Sequence, residues 1–301
     1  MGLKLPGAGA SRSAVVIGTV CGIAAALCWA AGFVAAKHGI VIGMAPGDLV
    51  LHRFTWTGLV LFALLARGGL FDLAGVGWPR GIVLALLAGP LQAFMAYTGF
   101  SLVPLGHGAV IQPACAALVG LLLAAIILHE RMTIERIFGA AAILAGLLIF
   151  GGEALATIGP HGLAGDFLFV GAGSLWAGFG ITLRLWAVAG TRAALVVGSL
   201  ALLFYTPLHA VLFGYERMIA VGLRENLLQA VVQGGLAGAL PIYLFARTVT
   251  LLGAGRASTF PALVPVFTVA LGFPLIGEVP SYVQLAGLAV VLIGFRFTLK
   301  P

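Results

Sequence analysis

Charge is what this chain has least of. Only 8% of its 301 residues are Asp, Glu, Lys or Arg, while 61% are hydrophobic. A soluble domain carries about a quarter charged residues. A chain this poor in charge cannot cover itself with a water-compatible surface, so lipid is the expected solvent for most of it.

Cysteine is also scarce. Cys21, Cys28 and Cys115 all fall inside apolar runs, and an odd number without metal-ligand spacing excludes a disulfide framework and a zinc site. The familiar catalytic signatures are missing too. There is no Gly-x-Ser-x-Gly elbow, no phosphate-binding P-loop and no Cys/His cluster, and His129-Glu130 lacks the second histidine of a zinc helix. No catalytic residue, metal or cofactor is therefore expected. The net charge of +7 would point to nucleic acid in a soluble protein. Here the basic residues are scattered singly between apolar runs, which suits membrane orientation better, so no nucleic-acid partner is expected. Lys4 and Arg12 precede an apolar run about one span long, with a counterpart near residue 162. That run is expected to be retained as a helix and not cleaved as a leader.

What the chain does have is long apolar runs. A bilayer core takes about 20 apolar residues per helix. On that ruler about ten spans are expected, at 14–37, 46–66, 80–101, 104–128, 134–152, 163–187, 193–213, 226–249, 255–276 and 281–299. The connections are short and marked by Pro or Gly, as at Pro46-Gly47, Trp78-Pro79, Pro104, Gly159-Pro160 and Pro280.

The runs occur twice in one order. Trp29-Ala30 recurs as Trp176-Ala177, and Leu105-Gly106-His107-Gly108 as Leu252-Gly253-Ala254-Gly255, both offset by 147. Pro113 through Glu130 recurs as Pro261 through Glu278, and Gly139 and Gly146 as Gly287 and Gly294, offset by 148. The chain thus divides into a tail, residues 1–13, and two five-helix repeats, 14–152 and 163–299. Five is odd, so the second repeat enters the membrane from the opposite side. The expected fold is an all-α membrane protein of two inverted-topology repeats. With both termini cytoplasmic, that side receives Lys4, Arg12, Arg67, Arg80, Arg131, Arg136, Arg184, Arg192, Arg247, Arg256, Arg296 and Lys300, and the other at most Lys37, Arg53, Arg217 and Arg224. This excess sets the orientation. The paired glycines, seven apart, give each helix one small face for close approach, either inside the protomer or across a dimer.

Candidate ligand contacts are the polar and aromatic residues within spans. Trp29, Phe33 and Lys37 share one face of the first span, and Trp176, Gly180 and Arg184 repeat that spacing in the sixth. Lys37 and Arg184 either join that face or snorkel to headgroups. The third span carries Gln92 and Tyr97, and its mate Gln233 and Tyr243. Gln112-Pro113 and Ser258-Thr259-Phe260-Pro261 open the fourth and ninth spans. Each proline frees a carbonyl four residues back, which makes Pro113 and Pro261 candidate hinges or gates, or plain kinks. His52-Arg53 sits roughly 10 Å into the second span. Arg53 is placed either on a ligand carboxylate or, in preference, at the interface or in a structural pair with a helix C-terminus. All nine carboxylates fall at span ends or in loops. Glu130 and Glu278, symmetry mates, are expected to end helices and anchor the interface, with gating as a further possibility. Carriers coupled to protons or sodium commonly use an intramembrane acid, so facilitated transport or exchange is favoured, with a histidine relay left open.

These motifs resemble the bacterial drug/metabolite transporter superfamily. The resemblance rests on Gly18-(x)10-Trp29-Ala30 with its copy Gly165-(x)10-Trp176-Ala177, the Leu-Gly-x-Gly starts, the Pro seventeen residues before Glu, and the closing glycine pairs. It covers about residues 15–299 and is greatest to ten-span inner-membrane exporters of amino acids and metabolites, aromatic amino acid exporters among them. It implies a basket of helices around a central cavity lined by the first, third, fourth, sixth, eighth and ninth spans, working by alternating access. His107 has Ala254 as its mate and Arg256 has Ala109, so the site is asymmetric. The expected ligand set is Trp29, Phe33, Gln92, Tyr97, Gln112, Trp176, Gln233, Tyr243, Ser258 and Thr259. Aromatic walls with uncharged hydrogen-bonding groups suit an amino acid, aromatic or large and neutral. The rival expectations are a broad metabolite or drug exporter of the same fold, and a non-transporting membrane scaffold or receptor subunit. The bacterial inner membrane is the expected location. The partners are a small-molecule substrate and the bilayer, and a monomer suffices whatever the oligomeric state.

Overall fold

The computed structural model describes residues 12–69, 71–130, 132–157, 160–252 and 260–298, and these are helical, with no strand. In chain order the helices are α1 (Arg12–Val41), α2 (Pro46–Gly68), α3 (Trp78–Ala88), α4 (Pro90–Leu102), α5 (Leu105–Ile127), α6 (Ile134–Thr157), α7 (Pro160–Leu185), α8 (Gly190–Leu212), α9 (Glu216–Val221), α10 (Leu223–Gln229), α11 (Leu240–Leu252), α12 (Val264–Ile276) and α13 (Tyr282–Thr298). A π-helical segment, Ala230–Ala239, joins α10 to α11, and a short 3-10 turn, Phe260–Leu263, leads into α12. Among the described residues, seven helical stretches are long and apolar enough to cross a membrane, while Phe260–Ile276 and Tyr282–Phe297 are apolar but shorter. Large apolar side chains such as Leu148, Phe167, Val211 and Ile219 point outward, as lipid requires and water would penalise.

Packing pairs the halves. α6 lies along α13 and α2 along α8, while α1 packs on α11 and α12 and α7 on α4 and α5. The glycine pairs lie within the protomer. A Cβ on Gly146 would sit 2.9 Å from the Gly287 carbonyl oxygen, and one on Gly294 would sit 2.7 Å from that of Gly139. Each pair is therefore the seat of the other helix. In lipid such close backbone contact supplies the dispersion that a hydrophobic drive cannot.

Both third helices are irregular, where unbroken runs were expected. The run 80–101 is two helices parted at Gly89 (φ −97°, ψ −147°) with Pro90 opening the second. Its counterpart run holds the ten-residue π segment. Gly89-Pro90, Gly234-Gly235, Gly238 and Pro241 carry the signal. Pro removes a hydrogen bond and Gly loosens the turn, and π turns gather at functional sites.

Candidate functional site

The π segment comes close to α1 and α2 because small residues allow it. A Cβ on Gly234 would overlap the Trp56 side chain and one on Gly238 would overlap Thr57. Thr57 Oγ1 donates to the Gly234 carbonyl at 2.7 Å, which satisfies an acceptor within the widened turns.

That approach places Gln233 at the centre of a chain of hydrogen bonds. Its Nε2 donates to the Gly32 carbonyl of α1 at 2.9 Å. Its Oε1 accepts from the Tyr97 hydroxyl of α4 at 2.9 Å. The same hydroxyl accepts from Arg53 Nη1 of α2 at 3.3 Å. Gln233 is fully buried and Tyr97 is 2% exposed. Four elements thus converge on one polar layer, and both side chains expected to offer free groups have used them on each other.

Aromatic rings lie beside this layer. Phe33 meets Phe100 edge-on at 5.5 Å between centroids, and Phe100 meets Phe169 at 5.0 Å. Trp29 packs against Phe245 at 5.6 Å. Gln92 is 7% exposed. Gln112 leaves its buried Oε1 without a partner, one residue before Pro113 within α5.

Trp176 and Tyr243 are not brought into this group. Trp176 is 45% exposed and Tyr243 63% exposed. Trp176 lies two turns beyond Phe169 on the same face of α7. Phe169 is wholly buried, so that face passes from packed to open along the helix. One turn further on, a Cβ on Gly180 would meet nothing within 4 Å. Pro261 sits in the 3-10 turn, half-buried. Ser258 and Thr259 lie outside the described residues. Recesses of about 400 Å³ and 230 Å³ lie near the helix ends, lined respectively by residues such as Leu105, Glu278 and Gln284 and by residues such as Asp48, Phe213 and Arg217, and neither includes a residue from the expected ligand set.

Ion pairs occupy the ends of α5. At its start, Lys37 Nζ donates to the carbonyls of Phe100 (2.9 Å) and Val103 (2.8 Å) and lies 3.7 Å from Glu278. Glu278 in turn accepts from the Leu105 backbone N–H at 2.6 Å. A cation on the last carbonyls of α4 meets the negative end of that helix. At the other end of α5, Glu130 pairs with Arg184 and with Arg136, the latter at 3.3 Å. Those partners, the Arg184 hydrogen bond first, hold the Glu130 carboxyl below its usual range. Helix α5 has 23 residues and is therefore about 34 Å long.

Histidines take up acids that sequence alone left unassigned. Asp48 bonds His209 at 2.8 Å and caps Ala45 N–H, also at 2.8 Å. Asp166, seven residues into α7, meets His107 at 3.0 Å, and both are buried. His38 meets Glu225 at 3.0 Å. These partners come from helices distant in sequence, so spacing could not pair them.

Fold and site together define an all-helical, multi-pass membrane protein whose two halves interleave around a polar layer. The EamA-like transporter family model matches residues 16–152 and again 163–300, and the chain belongs to that family of small-molecule membrane transporters. A solved crystal structure shares the fold at a TM-score of 0.63, with 22% identity, over 96% of this chain and 98% of that one. No curated protein matches the chain.

Proposed function

We propose that the chain is an exporter of amino acids, aromatic or large and neutral, in the bacterial inner membrane. It has ten spans in two inverted five-helix repeats, both termini cytoplasmic, and works by alternating access. One observation carries the mechanism. Lys37–Glu278 and Arg184–Glu130 join matching positions of the two repeats and lie at opposite ends of α5. An inverted repeat places one such pair at each membrane face. Lys37 is held on the carbonyls at the α4 terminus, while at the other end Arg184 and Trp176 are exposed. Opening and closing these pairs in turn exposes the polar layer to either side.

The substrate class rests on the rings of Trp29, Phe33 and Phe100 beside the layer of Tyr97 and Gln233. Stacking and apolar contact hold a side chain; Tyr97 and Gln233, bonded to each other, order the layer, and polar groups it leaves unconsumed hold the amino-acid end. The test is counterflow of labelled phenylalanine in proteoliposomes of the purified chain. Unlabelled aromatic amino acids are expected to compete. Exchange of organic cations, with no competition by amino acids, moves the reading to a broad drug exporter.

A further inference from the structure

We propose that Arg53 is the carboxylate anchor of the transported molecule; this rests on the transport reading above and extends it to the ligand's charged group. The starting point is an imbalance. Among the described residues, other charged side chains drawn into the helix layer have an opposite charge or histidine beside them: Lys37 has Glu278, Asp48 has His209, and Asp166 has His107. Arg53 has none among the described residues, which include all nine carboxylates of the chain. It is the eighth residue of α2, about 10 Å along the helix. An arginine at that depth without a counter-charge is costly and marks a functional position.

Geometry says where its free valence points. One nitrogen, Nη1, donates to the Tyr97 hydroxyl at 3.3 Å. That hydroxyl is fixed by Gln233, and Gln233 by Gly32. The guanidinium is therefore steered to the meeting point of α1, α2, α4 and the π segment, away from the lipid face. Its other donors meet no described acceptor, and none of its nitrogens is both sealed and unpaired. A guanidinium presents its donors as a planar fork matching the two oxygens of a carboxylate. Tyr97 and Gln233 then act as positioning residues. Their hydrogen bonds are consumed in aiming the arginine, which explains why two side chains suited to bind an amino acid are closed to it.

The reading selects small molecules with a carboxylate near an apolar or aromatic body, and it disfavours their decarboxylated amines. Phosphate oxygens satisfy the same fork, so a lipid headgroup or free phosphate is the competing source of anion.

Purified wild-type, Arg53→Gln and Arg53→Lys proteins are compared in two assays. Thermal unfolding in detergent is read with 3-phenylpropionate, phenethylamine or inorganic phosphate, and counterflow in proteoliposomes with phenylalanine. 3-Phenylpropionate is expected to stabilise the wild type more than phosphate or phenethylamine does. Arg53→Gln should bind 3-phenylpropionate about ten- to a hundredfold more weakly, the loss of a charged hydrogen-bonded pair. Arg53→Lys, which keeps charge but loses the fork, should fall between, and remains informative if the Gln variant does not fold. Equal stabilisation of wild type and both variants by 3-phenylpropionate overturns the proposal, as does phosphate stabilising the wild type equally well. If phenylalanine is not exchanged but 3-phenylpropionate still discriminates wild type from variants, amino-acid export falls and the anchor stands.

Discussion

Lys37–Glu278 and Glu130–Arg184 occupy matching positions in the two repeats, yet their surroundings differ. The side chains of the first pair are 14% and 28% exposed, while Arg184 in the second is 54% exposed and Glu130 31%. Lys37 also closes two carbonyls at the end of α4, and Glu278 caps the start of α5. Glu130 instead divides itself between two arginines. Duplication supplies the same charges at both ends, but only one end has packed around them. Exposed pairs contribute about 0–1 kcal/mol, whereas removing a part-buried donor costs about 1–3 kcal/mol because its acceptors are left unmatched.

The largest expected effect breaks this contrast directly. Lys37→Met leaves Glu278 without its cation and the Phe100 and Val103 carbonyls without their donor. Thermal unfolding in detergent should show a loss of about 1–3 kcal/mol, from the carbonyls and carboxylate left unmatched, and Arg184→Met about 1 kcal/mol or less. Equal losses would mean that burial does not separate the two ends.

Accessibility sharpens the same comparison. In a background with Cys21, Cys28 and Cys115 replaced by Ala, a cysteine at Leu105 should react slowly with a soluble maleimide, since Leu105 is 2% exposed. A cysteine at Gly180 should react readily, because that position faces open space. Adding Glu278→Gln should raise labelling at Leu105 severalfold. No change there would dissociate the ion pair from closure.

The sequence carried the helices, the repeat and the pairing of Lys37 with Arg184 and of Glu130 with Glu278 as mates, because apolar runs and fixed offsets are one-dimensional signals. Of the aromatic residues read from the sequence as ligand contacts, Tyr97 is buried in the polar layer and Trp29 and Phe33 are half-buried beside it. The sequence did not reveal that Tyr97 and Gln233 satisfy each other, since that depends on the π segment turning Gln233 toward α4. Nor did symmetry predict that Tyr97 is buried while Tyr243 is 63% exposed. Mates in sequence are mates in one conformation only if both halves pack alike. Placing Arg53 by preference at the interface missed its contact with Tyr97, which requires knowing which helix faces α2.

That inequality between the tyrosines gives a smaller test. Tyr97→Phe removes two hydrogen bonds, leaving Gln233 Oε1 and Arg53 Nη1 unmatched, at about 1–2 kcal/mol. Tyr243→Phe should be within about 0.5 kcal/mol of wild type. Transport should fall severalfold in the first and stay unchanged in the second. A reversed order would put the functional tyrosine in the second repeat.

The smallest effect concerns acid. Glu130 lies in the connection between α5 and α6, and the Arg184 hydrogen bond, followed by the charges of Arg184 and Arg136, lowers its carboxyl from the ordinary value. A carboxylate depressed in the folded protein contributes stability that is fully present above its unfolded pKa of about 4.3. The contribution fades as pH falls through the lower folded value. The Arg184 end should therefore hold from pH 7 down to about 5 and loosen only in stronger acid. In the same Cys-replaced background, maleimide labelling should be too dependent on thiolate to follow this, so a spin label at Met132, which is 37% exposed, is the better reporter. Its mobility should stay level from pH 7 to about 5 and rise below about 4. Glu130→Gln should begin mobile and show no such rise. A mobility change centred near pH 6 would instead implicate a histidine, and the buried His107–Asp166 pair would become the group to vary first.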